Sequence, residues 1–141
     1  MSGKLAFLDT NIFIYLIEEN PSYLNQVYKL LEFLEKNKYE IVTSTLTLGE
    51  ILTKPYKDNR MDLVKRYKLF FSEMKLIELN SEIASLFAKV RADYKIKTPD
   101  AVQLASAVYA KANLFVTNDD RLSRFESEEC RVVLLGEVYK V

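Results

Sequence analysis

Four acidic residues occupy positions in the sequence from which their carboxylates can meet. One directly follows the first predicted strand, one lies in the helix entered from the second, one lies in the first turn of a later helix, and one follows the fourth strand by two residues. These are Asp9, Glu50, Asp100 and Asp119. Open parallel sheets bind ligands at the carboxyl ends of their strands. The four acids can therefore converge on one sheet edge, beside the polar residues Thr10, Asn11, Thr117 and Asn118.

Such a cluster of carboxylates points to metal chemistry. Like charges in one cleft raise the pKa of at least one carboxyl group unless a cation intervenes. Oxygen-rich ligand sets suit Mg²⁺ or Mn²⁺. One or two such ions can lower the pKa of bound water and stabilise a phosphoryl group during in-line displacement. Each acid taken alone also has a structural interpretation, as a helix N-cap, as a helix-dipole residue for Asp100, or as a partner of Lys54 for Glu50.

The composition excludes several other kinds of chemistry. The chain has 141 residues, with 20 Lys and Arg, 20 Asp and Glu, one Cys and no His. Without histidine there is no Ser-His-Asp or Cys-His nucleophile and no His-containing zinc site. A lone Cys130 forms no internal disulfide, which is typical of a reducing compartment. The longest apolar runs are too short to cross a bilayer, and no signal peptide is apparent, so we expect a cytoplasmic protein with no membrane partner.

Strands alternate with helices along the chain, and this order predicts the fold. Short apolar runs predict strands at residues 4–8, 39–43, 76–79, 114–117 and 132–135. With amphipathic helices between them, they predict a three-layer α/β/α sandwich with a mainly parallel, roughly five-stranded sheet. The length is that of one domain, so we expect a single domain over residues 1–141.

Helix ends are predicted from capping residues and prolines. Ser44 and Thr45 are N-cap candidates for a helix through Glu50 that Pro55 should end. Ser81 should cap a helix reaching residue 94, and a further helix should span residues 58–74. Thr98, Pro99 and Asp100 predict an N-cap, a first helical position and an acidic first turn, in a helix that should reach residue 112.

Together these motifs resemble those of the PIN domain family, most closely the VapC-type toxins of prokaryotic toxin–antitoxin pairs. The motifs are Asp9-Thr10-Asn11, the helix with Glu50, Thr98-Pro99-Asp100-Ala101 and Thr117-Asn118-Asp119. The likeness spans essentially the whole chain. It implies a PIN-like fold, a metal-dependent endoribonuclease that cuts RNA, a small antitoxin as partner and a homodimer. Asp9, Glu50, Asp100 and Asp119 fall on the family's acidic positions, and Asn11 and Thr117 fall on its supporting polar positions.

The residue types also suggest individual roles. We expect Asp9 and Asp100 to be the principal metal ligands, Glu50 to bind or orient the activated water, and Asp119 to complete a second or weaker metal site. The adjacent Asp120 could exchange roles with Asp119. Thr117 could position the water through its hydroxyl, and Asn11 could donate to a ligating carboxylate. Candidate phosphate contacts are Lys54, Lys65, Arg66, Lys68, Arg91, Lys95, Lys97, Arg121 and Arg124, most of which are better explained as a solvated surface.

Two alternatives stay open. The first is a catalytically silent PIN-like module that binds RNA or protein; the zero net charge, which gives no general attraction to nucleic acid, favours it. The second is a phosphotransferase with Asp9 as nucleophile. Such enzymes usually need a second acid two residues later, where this chain has Asn11.

Overall fold

The computed structural model describes residues 3–141. It consists of a five-stranded parallel sheet with helices on both faces. The strands are β1 (Leu5–Leu8), β2 (Glu40–Ser44), β3 (Leu76–Ile77), β4 (Leu114–Thr117) and β5 (Arg131–Leu134). The helices are α1 (Thr10–Ile17), α2 (Leu24–Lys36), α3 (Thr45–Lys57), α4 (Met61–Phe71), α5 (Ser81–Asp93) and α6 (Thr98–Tyr109), with 3₁₀ helices over Asp120–Arg124 and Leu135–Lys140. The predicted α/β sandwich is therefore confirmed.

The first strand lies at the centre of the sheet, in the order β3-β2-β1-β4-β5. Phe7 of β1 is in register with Val42 of β2 on one side and with Phe115 of β4 on the other, and every strand pair is parallel. The chain thus builds outward from β1 to β3, then returns to add β4 and β5 on the opposite side. The strand order reverses between β1 and β4, and a crevice opens at such a reversal at the carboxyl ends of the strands.

Alternation along the central strand divides the core into two layers. Ala6 and Leu8 pack into the layer under α1 to α4, whereas Phe7 packs into the layer under α5 and α6. Helix α6 is enclosed more completely than the others, since its residues Ala101 to Ala107 are all buried. Packing on all sides of the turns that follow Asp100 therefore fixes the position of α6.

The prediction that Pro55 ends α3 is wrong, because the helix continues to Lys57. Proline fixes a helical φ, so the chain can continue through it; the missing N–H costs the helix one hydrogen bond, to the Ile51 carbonyl, and the Pro55 ring is buried. The Pro55 carbonyl accepts from the Arg60 N–H at 2.8 Å. Asp58 is the C-cap of α3, and Asn59 adopts a positive φ of 54°, so α4 begins at Met61 and not at residue 58.

Two predicted N-caps differ by one residue from the structure. Asn80 caps α5, its Oδ1 accepting from the Ile83 N–H at 2.9 Å, so Ser81 is the first helical residue. Lys97 is the N-cap of α6 and makes no side-chain capping bond, so Thr98 lies inside the helix. Helix α6 ends at Tyr109 because Lys111 turns the chain with a φ of 61°. None of the helices within residues 3–141 is both long enough and apolar enough to span a bilayer.

Candidate active site

Asp9 stands at the centre of the crevice, immediately after β1. Its carboxylate caps α1: Oδ1 accepts from the Thr10 N–H at 2.8 Å, and Oδ2 accepts from the Thr117 hydroxyl at 2.7 Å. Its backbone N–H donates to the Val116 carbonyl at 2.9 Å. The side chain is 8% exposed, so one carboxylate is held almost dry between β1 and β4.

Burial raises the pKa of Asp9 to about 6, from 3.8. The hydrogen bonds from Thr117 and Thr10 oppose this rise, and the charges of Asp100 and Glu50 add to it. Asp9 is thus the group in the crevice on which negative charge is least favourable without a compensating cation.

Glu50 approaches Asp9 from α3. Its Oε1 accepts from the Thr10 hydroxyl at 2.6 Å, while the side chain as a whole is exposed. Thr10 therefore contacts both acids, donating its N–H to Asp9 and its hydroxyl to Glu50. The sequence places Thr10 beside the acids, but its bridging role depends on the approach of α3 to α1.

Asp100 lies in the first turn of α6, as predicted, and is partly buried. Burial raises its pKa, and the charges of Asp119 and Glu50 add to the rise, while Arg121 and Lys97 oppose it. The structure therefore brings Asp100 within electrostatic range of acids from α3 and from the segment after β4.

Asp119 is engaged by a cation of its own chain. Arg121 donates to both of its carboxylate oxygens, with Nη2 at 2.6 Å from Oδ2 and Nε at 2.9 Å from Oδ1. This pair lowers the pKa of Asp119. Asp119 also caps the 3₁₀ helix over Asp120–Arg124, whose first residue Asp120 is exposed. The two acids therefore have distinct surroundings.

The two supporting polar residues differ in what they contact. The Thr117 hydroxyl donates to Asp9 and accepts from the Asp119 N–H at 3.1 Å, so it orients a carboxylate and not, in this structure, a water molecule. Asn11 is exposed on α1, and within residues 3–141 its amide reaches no carboxylate. The contact expected of Asn11 is made by Thr10, one residue earlier.

A buried polar cluster lies beneath these acids and was missed from sequence. It consists of Thr43, Ser44, Thr47 and Gln103, each 2% exposed or less. The available signal was a glutamine within the run of small and apolar residues that makes up α6. Across residues 3–141, every buried side-chain nitrogen and oxygen has a hydrogen-bond partner.

A basic cavity of about 120 Å³ adjoins Asp100. Its lining includes Lys95, Lys97, Arg121 and Arg124. Four cationic side chains around a small opening next to the acids provide a place for an anionic group. Elsewhere, Tyr15 of α1 stacks on Tyr23, with ring centroids 4.5 Å apart.

The chemistry of this donor set fits a divalent cation. Asp9 and Asp100 are oxygen donors whose charge is disfavoured by burial and by neighbouring acids, which a cation would relieve. Within residues 3–141, however, no three acidic or thiol side chains are grouped closely enough to hold one ion. Glu50 is held by Thr10 and Asp119 by Arg121, so ligation by either requires its side chain to leave that partner.

Comparisons with known proteins place the chain among characterised folds. The sequence model of the PIN domain family matches residues 6–128. No curated protein sequence matches the chain.

Among solved structures, VapBC2 from Rickettsia felis bound to a promoter DNA fragment is similar with a TM-score of 0.74 and 22% identity, covering 92% of this chain and 98% of that one. A toxin–antitoxin complex from Klebsiella pneumoniae gives a TM-score of 0.70 at 23% identity, with coverage of 92% and 97%. DNA-bound VapBC from Salmonella typhimurium gives 0.64 at 18% identity, with coverage of 94% and 98%.

Proposed function

The chain belongs to the PIN domain family, and on that basis we propose that residues 1–141 form one domain that is a Mg²⁺- or Mn²⁺-dependent endoribonuclease. PIN domains are generally nucleases and typically use a divalent metal. The proposed reaction is hydrolysis of RNA phosphodiester bonds. The proposed site is the set of carboxylates Asp9, Glu50, Asp100 and Asp119.

The observation that carries this proposal is the buried carboxylate of Asp9. Its pKa of about 6 arises from burial and from the nearby charges of Asp100 and Glu50. Burying an acid beside other acids lowers the stability of a fold, and acids perturbed in this way cluster at functional sites. Binding a cation is the use that these oxygen donors support.

In the proposed mechanism, Asp9 and Asp100 would hold the metal, with Glu50 and Asp119 as further ligands. The chemistry that a divalent ion supplies at such a site is activation of water and neutralisation of charge on the phosphoryl group. Thr117 and Thr10 hold both oxygens of Asp9 in place. Glu50, which is exposed and bonded through one oxygen only, is suited to orient water or to take its proton. With no histidine in the chain, the leaving oxygen would receive its proton from a water molecule.

We propose that the basic cavity beside Asp100 receives a phosphate of the RNA backbone. Lys97 and Arg121 line it and also act electrostatically on Asp100, so a phosphate bound there would lie next to the acids. The zero net charge of the chain predicts weak non-specific binding, so local cations must supply the attraction.

Cleavage assays on purified protein test the nuclease proposal. Single-stranded RNA should be cut with Mg²⁺ or Mn²⁺ and not in EDTA, and Asp9→Asn or Asp100→Asn should abolish cutting while circular dichroism shows an intact fold. The matched control is Asp93→Asn, which removes an exposed carboxylate of α5 paired with Lys89 at 3.2 Å. Undiminished cutting by both site variants, or equal cutting in EDTA, would refute the proposal.

We further propose that the protein is the toxin of a VapBC-type pair, with a small antitoxin as partner, and that it forms a homodimer. The similarity in fold to VapBC structures supports this proposal. Co-expression with the product of a short neighbouring reading frame tests it. A stable complex in which RNA cleavage is suppressed is the expected result, and light scattering of the isolated protein should give a dimer mass. A monomeric protein with no such partner would contradict it.

A catalytically silent PIN-like module that binds RNA or protein is the second candidate. The distances between the acids favour this candidate, because within residues 3–141 no three acidic side chains lie close enough together to hold one ion. Calorimetric titration with Mn²⁺ separates the two functions. Saturable binding that Asp9→Asn weakens supports the nuclease, whereas absence of binding supports the silent module.

A further inference from the structure

We propose that Gln103 is a positioning residue that holds the helix of Asp100 against the helix of Glu50 through hydrogen bonds beneath the two carboxylates. The proposal rests on the nuclease function above, since it concerns the geometry of the same acids. It adds a residue that the acidic motifs do not include.

Both ends of the Gln103 amide are bonded to α3 or its cap. The Ser44 hydroxyl donates to Oε1, and Nε2 donates to the Thr47 hydroxyl at 2.7 Å. Gln103 is 1% exposed, so water cannot replace either bond. The amide therefore forms a neutral connection between α6 and the first turn of α3.

This connection lies one helical turn below the acids. Gln103 follows Asp100 by three residues on α6, and Thr47 precedes Glu50 by three residues on α3. Residues three apart on a helix share a face. Asp100 in the first turn of α6 and Glu50 on α3 carry like charges, which repel each other. The hydrogen bonds of Gln103 thus oppose the separation that this repulsion favours.

The same hydrogen bonds extend to the strand that ends at Asp9. Thr43 donates to the carbonyl of Leu8 at 2.9 Å, and its oxygen lies 2.8 Å from that of Thr47. Since Thr43 has one proton and gives it to Leu8, Thr47 must donate to Thr43. One directed series of bonds therefore runs from Gln103 through two threonines to the residue before Asp9.

If position 103 only had to fill space in the core, an apolar residue would pack there as well as glutamine does. Six other buried residues of α6 around Gln103 are Ala, Val, Leu or Ser. A buried amide contributes to stability only when all its hydrogen bonds are made, and a methionine of similar volume avoids that condition. What the amide provides beyond packing is a fixed distance and orientation between α3 and α6.

Gln103→Met tests the inference with Ser106→Ala as the matched control. Ser106 is also 1% exposed on α6, but among the described residues 3–141 its hydroxyl bonds only the Val102 carbonyl of its own helix. Loss of a residue that orients metal ligands typically weakens metal binding by about 10- to 100-fold. We expect Gln103→Met to weaken Mn²⁺ binding by at least about tenfold by calorimetry. Its RNA cleavage should recover at raised Mn²⁺, whereas Ser106→Ala should bind Mn²⁺ like the wild type.

The outcomes separate this inference from the nuclease proposal. A wild-type protein that neither binds Mn²⁺ nor cleaves RNA refutes the proposed function, and this inference with it. A functional wild type with equal Mn²⁺ affinity in Gln103→Met and Ser106→Ala overturns the role of Gln103 alone, as does a loss of cleavage that Mn²⁺ does not restore. If Gln103→Met does not fold, Thr47→Val removes the partner from α3 and must give the same weakened Mn²⁺ binding.

Discussion

Replacing Asp9 with Asn should change how the stability of the metal-free protein depends on pH. The pKa of Asp9 rises from 3.8 in the unfolded chain to about 6 in the fold, chiefly through burial. A tenfold change in a protonation equilibrium is worth about 1.4 kcal/mol, so this rise corresponds to roughly 3 kcal/mol. That is a large share of the 5–15 kcal/mol by which domains are typically stable.

The sign follows from which state binds more protons. Between about pH 4 and pH 6 the folded protein keeps the Asp9 proton while the unfolded chain has released it. The free energy of unfolding therefore falls as pH rises through this window. Asn mimics the protonated acid and does not titrate. The stability of Asp9→Asn relative to wild type should thus increase by roughly 2.4 kcal/mol between pH 4 and pH 8.

Urea unfolding in EDTA at a series of pH values measures this difference. Asp93→Asn, an exposed change on α5, should stay within about 0.5 kcal/mol of wild type at every pH. Parallel curves for Asp9→Asn and wild type between pH 4 and pH 8 would refute the argument that burial holds Asp9 in an unfavourable charge state. A difference that grows toward low pH would refute its sign.

Three further outcomes follow from particular contacts. Arg121→Gln frees Asp119 from a competing cation and should tighten Mn²⁺ binding by up to about fivefold, the equivalent of one exposed ion pair; unchanged calorimetric affinity would show that the pair does not compete. Cys130 is buried, with its pKa raised to about 11 by burial, so it should resist a thiol reagent such as Ellman's at pH 8 until urea unfolds the protein, and prompt reaction in the native state would contradict that burial. Asn80→Ala removes the α5 cap and should cost about 1 kcal/mol in urea unfolding, more than Ser81→Ala; the reverse order would place the cap at residue 81.

The fold was predictable because local patterns and tertiary packing agree in most elements. Leu114–Thr117 forms the strand predicted for it, since four consecutive buried residues suit a strand covered on both faces. Pro55 shows the limit of such rules. The effect of Pro55 depends on the number of helical residues after it and on the burial of its ring. Both depend on tertiary packing, which the local sequence does not determine.

The candidate site was predictable in its acids and less so in the residues that hold them. Acids at strand and helix ends are visible in sequence, but the partners of each acid depend on helix phase. Helix α1 begins at Thr10, directly after Asp9, and its phase turns Thr10 toward Glu50 and leaves Asn11 exposed. Gln103 was missed because its partners Ser44 and Thr47 lie more than fifty residues away in sequence.

The central place of β1 in the sheet has a consequence for protein synthesis. Asp9 and the threonine that orients it are 108 residues apart in the chain. At about 5–20 residues per second, the ribosome takes roughly 5–20 s to pass from one to the other. Throughout that interval the nascent chain carries Asp9 but lacks β4, the strand against which the crevice forms. On the proposed function, RNA near the ribosome would therefore not be cut by the nascent chain until the fourth strand has emerged and docked.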